Sequence, residues 1–223
     1  MSLKIGDNVI VKSGIIDPDS ETFEMGGWQG RVTAIIPESD NSNNIITIEW
    51  DSLTLKQIPA EYIHQSEVEG LDWKTMNLYE TDLEKSIPRD KQKDVKMIQD
   101  LLSKKYYWSS LGEEGLRIAK ILEGVNPKDE MKCLQNWVSH LDKTLTFPIQ
   151  AIVTESEDNW LIKDGDKVRI ESLTEIVDLY GIIAGINLKG KELQFPLCDL
   201  EVIDKKSSNF QLIEDYRTWF ANR

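Results

Sequence analysis

Acidic side chains cluster in loop-like segments of this 223-residue chain, and their carboxylate oxygens are the ligands that hard divalent cations prefer. Four segments stand out: "DPDSETFE", "ESDNSNN", "ESEDN" and "CDLEVID". Calcium takes about six to eight oxygen ligands, and a loop can supply carboxylate, amide and backbone carbonyl oxygens together. Each segment is therefore a candidate calcium site, although most acidic loops are simply solvated.

The first of these segments resembles the start of an EF-hand loop. Asp17, Asp19 and Glu21 stand at alternate positions. An EF-hand needs glycine at the sixth position and a bidentate Glu at the twelfth, and the chain has Thr22 and Trp28 there. The sequence therefore predicts that any calcium site here is not an EF-hand.

Motifs for covalent or nucleotide chemistry are absent from the sequence. It contains no nucleophile elbow, no phosphate loop and no Gly-rich dinucleotide fingerprint. A zinc site built on Cys133 and His140 would need two further, distant ligands. These absences favour a non-enzymatic protein, and the two separated cysteines (Cys133 and Cys198) are typical of reduced thiols in the cytoplasm.

Aromatic residues in the N-terminal part offer a different function. Trp28, Trp50, Tyr62 and Trp73 either fill the core of a small domain or form a cage for a cationic side chain. With Trp28, Trp50 and Tyr62 as the cage, the protein would be an interaction module of Tudor or KOW type that binds a basic or methylated peptide.

The net charge of −13 is unevenly distributed. Residues 1–86 carry −10, residues 87–146 carry +2, and residues 147–223 carry −5. Nucleic-acid binding needs a basic stripe, so no nucleic-acid partner is expected, whereas cations or basic proteins suit both ends. We expect neither a signal peptide nor a membrane span, because no apolar run approaches about 20 residues.

Short strands are predicted at both ends of the chain. The first end has "NVIVKSG", "WQGRVTAII", "IITIEW", "TLKQIP" and "AEYIHQ", and the second has "FPIQAIVTES", "DKVRIESL", "YGIIAGINL", "ELQFP" and "LCDLEVID". "IGDNVIV" and "DGDKVRI" are nearly the same strand, and each precedes a Gly-led strand and a strand–Pro–strand pattern. This repetition predicts two related SH3-like barrels.

Helical periodicity separates the two ends. Apolar residues on one predicted face are Val95, Ile98, Leu101, Leu102 and Tyr106. Further helices are predicted in "EEGLRIAKILEG", after a cap at Asn126, and in "NFQLIEDYRTWFANR". The predicted fold class is α+β, with two small SH3-like β-barrels joined by a helical segment. The predicted boundaries are 1–70 for the first barrel, 71–126 for a linker with helices, and 127–223 for a helix, the second barrel and the C-terminal helix.

The second end also resembles a known family. "LTFPIQAIVTE", "DGDKVRI", "YGIIAGI", "FPLCDLEVID" and "NFQLIEDYRTWFANR", in that order, are similar to the cyanobacterial calcium-binding protein family CcbP over about residues 134–223. "FPLCDLEV" followed by "DYxxWF" is the most specific part. The resemblance implies an acidic, SH3-like domain that binds calcium without an EF-hand. Where family members have a pattern close to "FPFEAEV", this chain has Gln150 and Ile152 in place of two acids.

These observations predict a cytoplasmic, non-enzymatic calcium-binding protein, a buffer or a sensor. The ion is expected between the "ESED" loop, the residue Asp178 and the "CDLEVID" segment, with an affinity of about 10⁻⁷–10⁻⁵ M or weaker. The predicted metal ligands are Glu155, Glu157, Asp158, Asp178, Asp199 and Glu201. Calcium is the expected partner, and a basic protein or peptide is the alternative.

Overall fold

The computed structural model describes residues 2–20, 22–37, 43–156 and 161–223. The chain forms two compact units, Met1–Ser110 and Leu111–Arg223. Among the described residues, no helix combines the length and apolar character needed to cross a bilayer.

The N-terminal unit is an antiparallel five-stranded sheet with three helices. Its strands are β1 (Asn8–Val11), β2 (Gln29–Pro37), β3 (Asn44–Trp50), β4 (Thr75–Tyr79) and β5 (Leu83–Ser86), in the order β4-β3-β2-β1-β5. Its helices are α1 (Ser52–Gln57), α2 (Ala60–Glu69) and α3 (Gln92–Lys105). The alternating strands bury one face, and Val9, Val11, Ile46 and Ile48 belong to the core.

Two predicted strands of this unit are helices. "TLKQIP" lies in α1 and "AEYIHQ" in α2, so the prediction of strands there was wrong. Asp51 caps α1 by accepting a hydrogen bond from the Thr54 amide at 2.7 Å. Gly70 ends α2 with a left-handed φ of 71°. The fourth and fifth strands of the sheet are β4 and β5, which lie in a segment for which no strand was predicted.

The predicted apolar face of α3 needs one correction. Val95, Ile98 and Tyr106 are buried, whereas Leu101 is 57% exposed. At about 100° per residue, position 101 points well away from the face shared by the others.

The C-terminal unit has the same strand order. Its strands are β6 (Ile149–Val153), β7 (Lys167–Val177), β8 (Gly181–Leu188), β9 (Lys191–Pro196) and β10 (Leu200–Val202), in the order β10-β6-β7-β8-β9. Its helices are α4 (Gly112–Ile121), α5 (Glu130–Thr144) and α6 (Ser208–Ala221). The predicted cap at Asn126 was wrong, because Asp129 caps α5 by accepting from the Lys132 amide.

In each unit the first strand pairs with the second and the last, but the sheets remain open. Among the described residues, no pairing joins β4 to β5 or β9 to β10. The α+β class is therefore confirmed, and the predicted closure into SH3-like barrels is not.

The repeated Gly-Asp motif is a turn that the two units use differently. In both copies the Asp carboxylate accepts from the amide of the Lys three residues earlier, at 3.0 Å, and the glycine has positive φ. The Gly6 amide donates to Val32 on the following strand, whereas the Gly165 amide donates to Val153 on the preceding strand. The motif therefore begins the first strand of one sheet and the second strand of the other, so matching the two copies strand by strand was wrong.

Helix α6 is fixed against its unit by several contacts. Trp219 and Tyr216 are fully buried, with ring centroids 5.9 Å and 5.6 Å from Trp137 on α5. The Tyr216 hydroxyl accepts from the Ile182 amide at 2.8 Å. This fixed helix forms part of the candidate site described next.

Candidate metal centre

A cavity of about 260 Å³ lies in the C-terminal unit. Glu155 and Ser156, just after β6, form one side, and the tip of the β7–β8 hairpin forms another. The short turn after β9 contributes Cys198 and Asp199, and α6 contributes Phe220. Two carboxylates from separate segments therefore reach one concave surface.

Asp199 is the less exposed of the two carboxylates. It lies in the 3₁₀ turn Leu197–Asp199, and its backbone carbonyl accepts from the Thr154 amide at 2.8 Å. Burial raises the pKa of Asp199, and the nearby Glu155 raises it further, while Cys198 and Arg217 act in the opposite direction. Glu155 and Asp199 are thus close enough to repel each other, and a bound cation would relieve that repulsion.

Cys198 adds a thiol to the cavity wall. Its sulfur lies 3.4 Å from Oδ1 of Asp199 and 3.9 Å from the carbonyl of Tyr180. Burial, followed by the charge of Asp199, raises the pKa of this thiol to about 12. Cys198 is therefore protonated at neutral pH and is not poised as a nucleophile.

The six predicted ligands differ in their placement. Glu155 and Asp199 line the cavity. Asp178 is exposed next to Leu179, a cavity residue at the hairpin tip. Glu157 and Asp158 lie outside the described residues.

Glu201 is not a cavity residue. It lies on β10 between the buried Leu200 and Val202, and its carboxylate pairs with Lys205 at 3.2 Å. Across the described ranges, no three His, Cys, Asp or Glu side chains form a group that could hold a metal. The six-ligand set therefore stays a prediction.

Two acidic residues of the N-terminal unit, Asp17 and Asp72, already have local partners. Asp17 is 5% exposed and accepts from the Asp19 amide at 2.9 Å. Asp72 accepts from the Lys74 amide and from the Thr75 hydroxyl. Glu21, and residues 38–42 of the "ESDNSNN" segment, lie outside the described residues.

The aromatic residues considered for the cage pack in or against the core of the N-terminal unit. Trp50, Tyr62 and Trp73 are all less than 5% exposed. Trp28 packs edge-to-face against Trp50 and Tyr62, with centroid distances of 5.3 Å and 5.5 Å. Trp50 and Tyr62 therefore have no open ring face for a cationic side chain, and the cage interpretation has no support.

Sequence reasoning missed the other cavity walls. It selected carboxylates, and so passed over Cys198, Tyr180 and Phe220. A signal for two of these was present, because "FPLCDLEV" and "DYxxWF" were the most specific parts of the family resemblance. Cys198 and Asp199 lie in the first segment, Phe220 lies in the second, and all three line the cavity.

Comparisons with known proteins agree with the resemblance of the C-terminal part. A family model named Calci_bind_CcbP, described as calcium binding, matches residues 118–220, so this part of the chain is confirmed as CcbP-like. A solved structure, described as the crystal structure of Anabaena CcbP, matches with 19% identity and a TM-score of 0.37. That match covers 45% of this chain and 81% of the other. The search of curated proteins found no match.

Proposed function

We propose that this protein binds calcium in its C-terminal unit, at the cavity lined by Glu155 and Asp199. One observation carries the proposal: two carboxylates from separate segments line one cavity within the region that matches a calcium-binding family. The protein acts as a non-enzymatic buffer or sensor, in keeping with the description of the matching family as calcium binding.

The remaining ligands come from the surroundings of these two carboxylates. Glu157 and Asp158 follow Glu155 in the sequence, and Asp178 stands next to the cavity residue Leu179. Backbone carbonyls and water complete a coordination number of about six to eight. Glu201 would have to break its ion pair with Lys205 before its carboxylate could bind the ion.

Calcium suits this arrangement better than magnesium. Calcium accepts irregular coordination from flexible loops, whereas magnesium demands near-ideal octahedral geometry and gives up its water reluctantly. Among the described candidate ligands, Glu155, Asp178 and Asp199 lie in loops and turns rather than in a regular cage. We place the protein in the cytoplasm because Cys133 and Cys198 are free thiols.

The combined substitutions Glu155→Gln and Asp199→Asn test this site. They remove both cavity charges at little change in volume, so we expect calcium affinity to fall by about a hundredfold, or about 2.7 kcal/mol. Isothermal titration calorimetry measures the change. The matched control is Glu192→Gln with Glu171→Gln, two exposed acids on β9 and β7 outside the cavity lining. Equal affinity of the site variant and the control variant would contradict the assignment of the cavity.

A further inference from the structure

Arg217 of α6 contacts both segments that carry the cavity carboxylates. Its Nε donates to the Cys198 carbonyl at 2.9 Å, and its Nη2 donates to the Thr154 hydroxyl at 3.3 Å. Cys198 and Thr154 are the chain neighbours of Asp199 and Glu155. The Arg217 guanidinium therefore bonds to both segments, at the residues that directly precede Asp199 and Glu155.

The guanidinium is itself held in place. Its Nη1 donates to Glu214, one turn earlier in α6, at 2.6 Å, and the two side chains are 23% and 26% exposed. The planar guanidinium fixes the directions of its donors, so three contacts define its orientation. The Glu214 charge also offsets that of Arg217, which reduces the repulsion that a bound cation would feel.

The helix that carries Arg217 is a rigid support. Asp215 receives two hydrogen bonds from Arg117, both at 2.8 Å, and Tyr216 accepts from the Ile182 amide. Contacts that project from such a fixed element can hold loops in a defined geometry. On the side of Glu155 and Asp199, the pairing of β6 with β10 ends where Val153 lies opposite Leu200. Beyond it, Arg217 and the bond from the Thr154 amide to the Asp199 carbonyl hold the segments together.

We propose that Arg217 is a positioning residue that sets the separation of Glu155 and Asp199, an inference that rests on the proposed calcium function. Arg217 does not touch the ion. It holds the two carboxylate segments at a spacing that a single divalent cation can bridge, and Glu214 orients it. This assigns a role to Arg217 within the "DYRTWF" segment.

The test is a charge-neutral pair of substitutions, Arg217→Gln with Glu214→Gln. Removing both members keeps the net charge, so a change in calcium affinity reports on geometry. The matched control is Arg169→Gln with Glu171→Gln, which removes an exposed ion pair of the same unit on β7. We expect calcium affinity to fall about tenfold in the Arg217 variant and to stay unchanged in the control. Arg217→Lys keeps the charge but loses the fixed donor directions, so its affinity should lie between the wild type and the double variant.

Amide hydrogen exchange in the calcium-free protein supplies a second readout. In the Arg217 variant, the Thr154 amide should exchange about tenfold faster, because its bond to the Asp199 carbonyl opens more often. The Leu145 amide, which donates to Leu141 at 2.8 Å in the same unit, should be unaffected.

Calcium affinity and amide exchange together distinguish a failure of the positioning role from a failure of the proposed function. Unchanged exchange at Thr154 overturns the positioning role whether or not calcium binds, and so does equal acceleration at Leu145, which would indicate general destabilisation. Calcium binding in the wild type with no loss in the Arg217 variant also overturns it. Accelerated exchange at Thr154 alone, with no calcium binding in the wild type, overturns the proposed function while the positioning of the segments stands.

Discussion

At the scale of single residues, the cavity forms where the chain segments that carry Glu155 and Asp199 adjoin the sheet. Glu155 follows the last residues of β6, and Asp199 ends the turn before β10, the strand that pairs with β6. Glu155 is exposed and Asp199 is half-buried. Their position at the end of a shared ladder explains why residues distant in sequence line one cavity.

The outward face of the same strand pair lacks acids that the family pattern would place there. Gln150 and Ile152 occupy those positions on β6, and Ile152 lies directly opposite Glu201 on β10. The Glu201 carboxylate pairs with Lys205. Restoring the acids would therefore place new carboxylates beside an existing one.

We predict that Gln150→Glu with Ile152→Glu creates additional calcium binding on this face. Without calcium, the facing carboxylates at 152 and 201 should repel each other and cost about 0.5 kcal/mol of stability. Calcium should reverse the loss, so the thermal shift caused by calcium should exceed that of the wild type. Differential scanning fluorimetry, with and without saturating calcium, measures it. Gln150→Asn with Ile152→Gln is the uncharged control, and an equal calcium shift in both variants would contradict the prediction.

At the scale of elements, α1 shows how a distant residue decides local structure. Asp51 caps the helix, and its carboxylate is held by Arg89 through two bonds at 2.7 and 2.8 Å. Burial raises the pKa of Asp51, but hydrogen bonds from Arg89 and Thr54 outweigh it and hold the pKa below the usual value. The ionised form is therefore the one that stabilises the fold.

This lowered pKa predicts a specific pH dependence. A carboxyl group with a lowered pKa stabilises the fold above its unfolded pKa of about 3.8, and that contribution is lost as the pH falls through the folded value. Asp51→Asn should therefore cost about 1 kcal/mol at pH 7, because it removes the negative charge that pairs with the partly exposed Arg89, and less below pH 4. Urea unfolding at several pH values measures both. Asp100→Asn, on the exposed side of α3, is the control, and the same loss at every pH would contradict the account.

The strands and helices differ in how far the sequence could predict them. β1, β3 and β6 were predicted because one buried face imposes alternation on their residues, and β8 because it is a short apolar run. α1 and α2 were missed because six-residue apolar patterns fit a strand and a helix equally well. The Asp51 cap of α1 is held by Arg89, which lies 38 residues away and cannot be recognised as a partner in the sequence.

The candidate site was predictable only in part, for a related reason. Residue type identified Glu155 and Asp199 as oxygen ligands, but loop conformation decides which carboxylates converge. Glu201 lies two positions from Asp199 in the chain, yet it belongs to a regular strand and pairs with Lys205. The helix α6 was predicted from the sequence, but the packing that brings Phe220 to the cavity and Arg217 to the two carboxylate segments depends on contacts with residues distant in the chain.

At the scale of the whole molecule, calcium should act on one unit only. The family match covers residues 118–220, which fall within the C-terminal unit. The negative charge is divided almost equally between the units, with −7 on residues 1–110 and −6 on residues 111–223. In the N-terminal unit, Asp17 and Asp72 already have hydrogen-bond partners. Acidity alone is therefore a poor guide to the metal site in this chain.

We predict that calcium slows amide exchange in residues 111–223 and leaves residues 1–110 unchanged. At a free calcium concentration of about 100 times Kd, binding stabilises the folded state by about 2.7 kcal/mol, which slows globally exchanging amides about a hundredfold. Hydrogen exchange with mass spectrometry resolves the two units, and magnesium serves as the control ion. Protection confined to residues 1–110 would move the calcium site to the "DPDSETFE" segment.

The most direct test of the central claim is a calorimetric titration of the chelator-stripped wild-type protein with calcium, repeated with magnesium at physiological salt. The account predicts saturable calcium binding in the range of about 10⁻⁷–10⁻⁵ M or somewhat weaker, with little response to magnesium. A flat calcium titration would contradict it, and would mean that Glu155 and Asp199 do not compensate for the acids absent at Gln150 and Ile152.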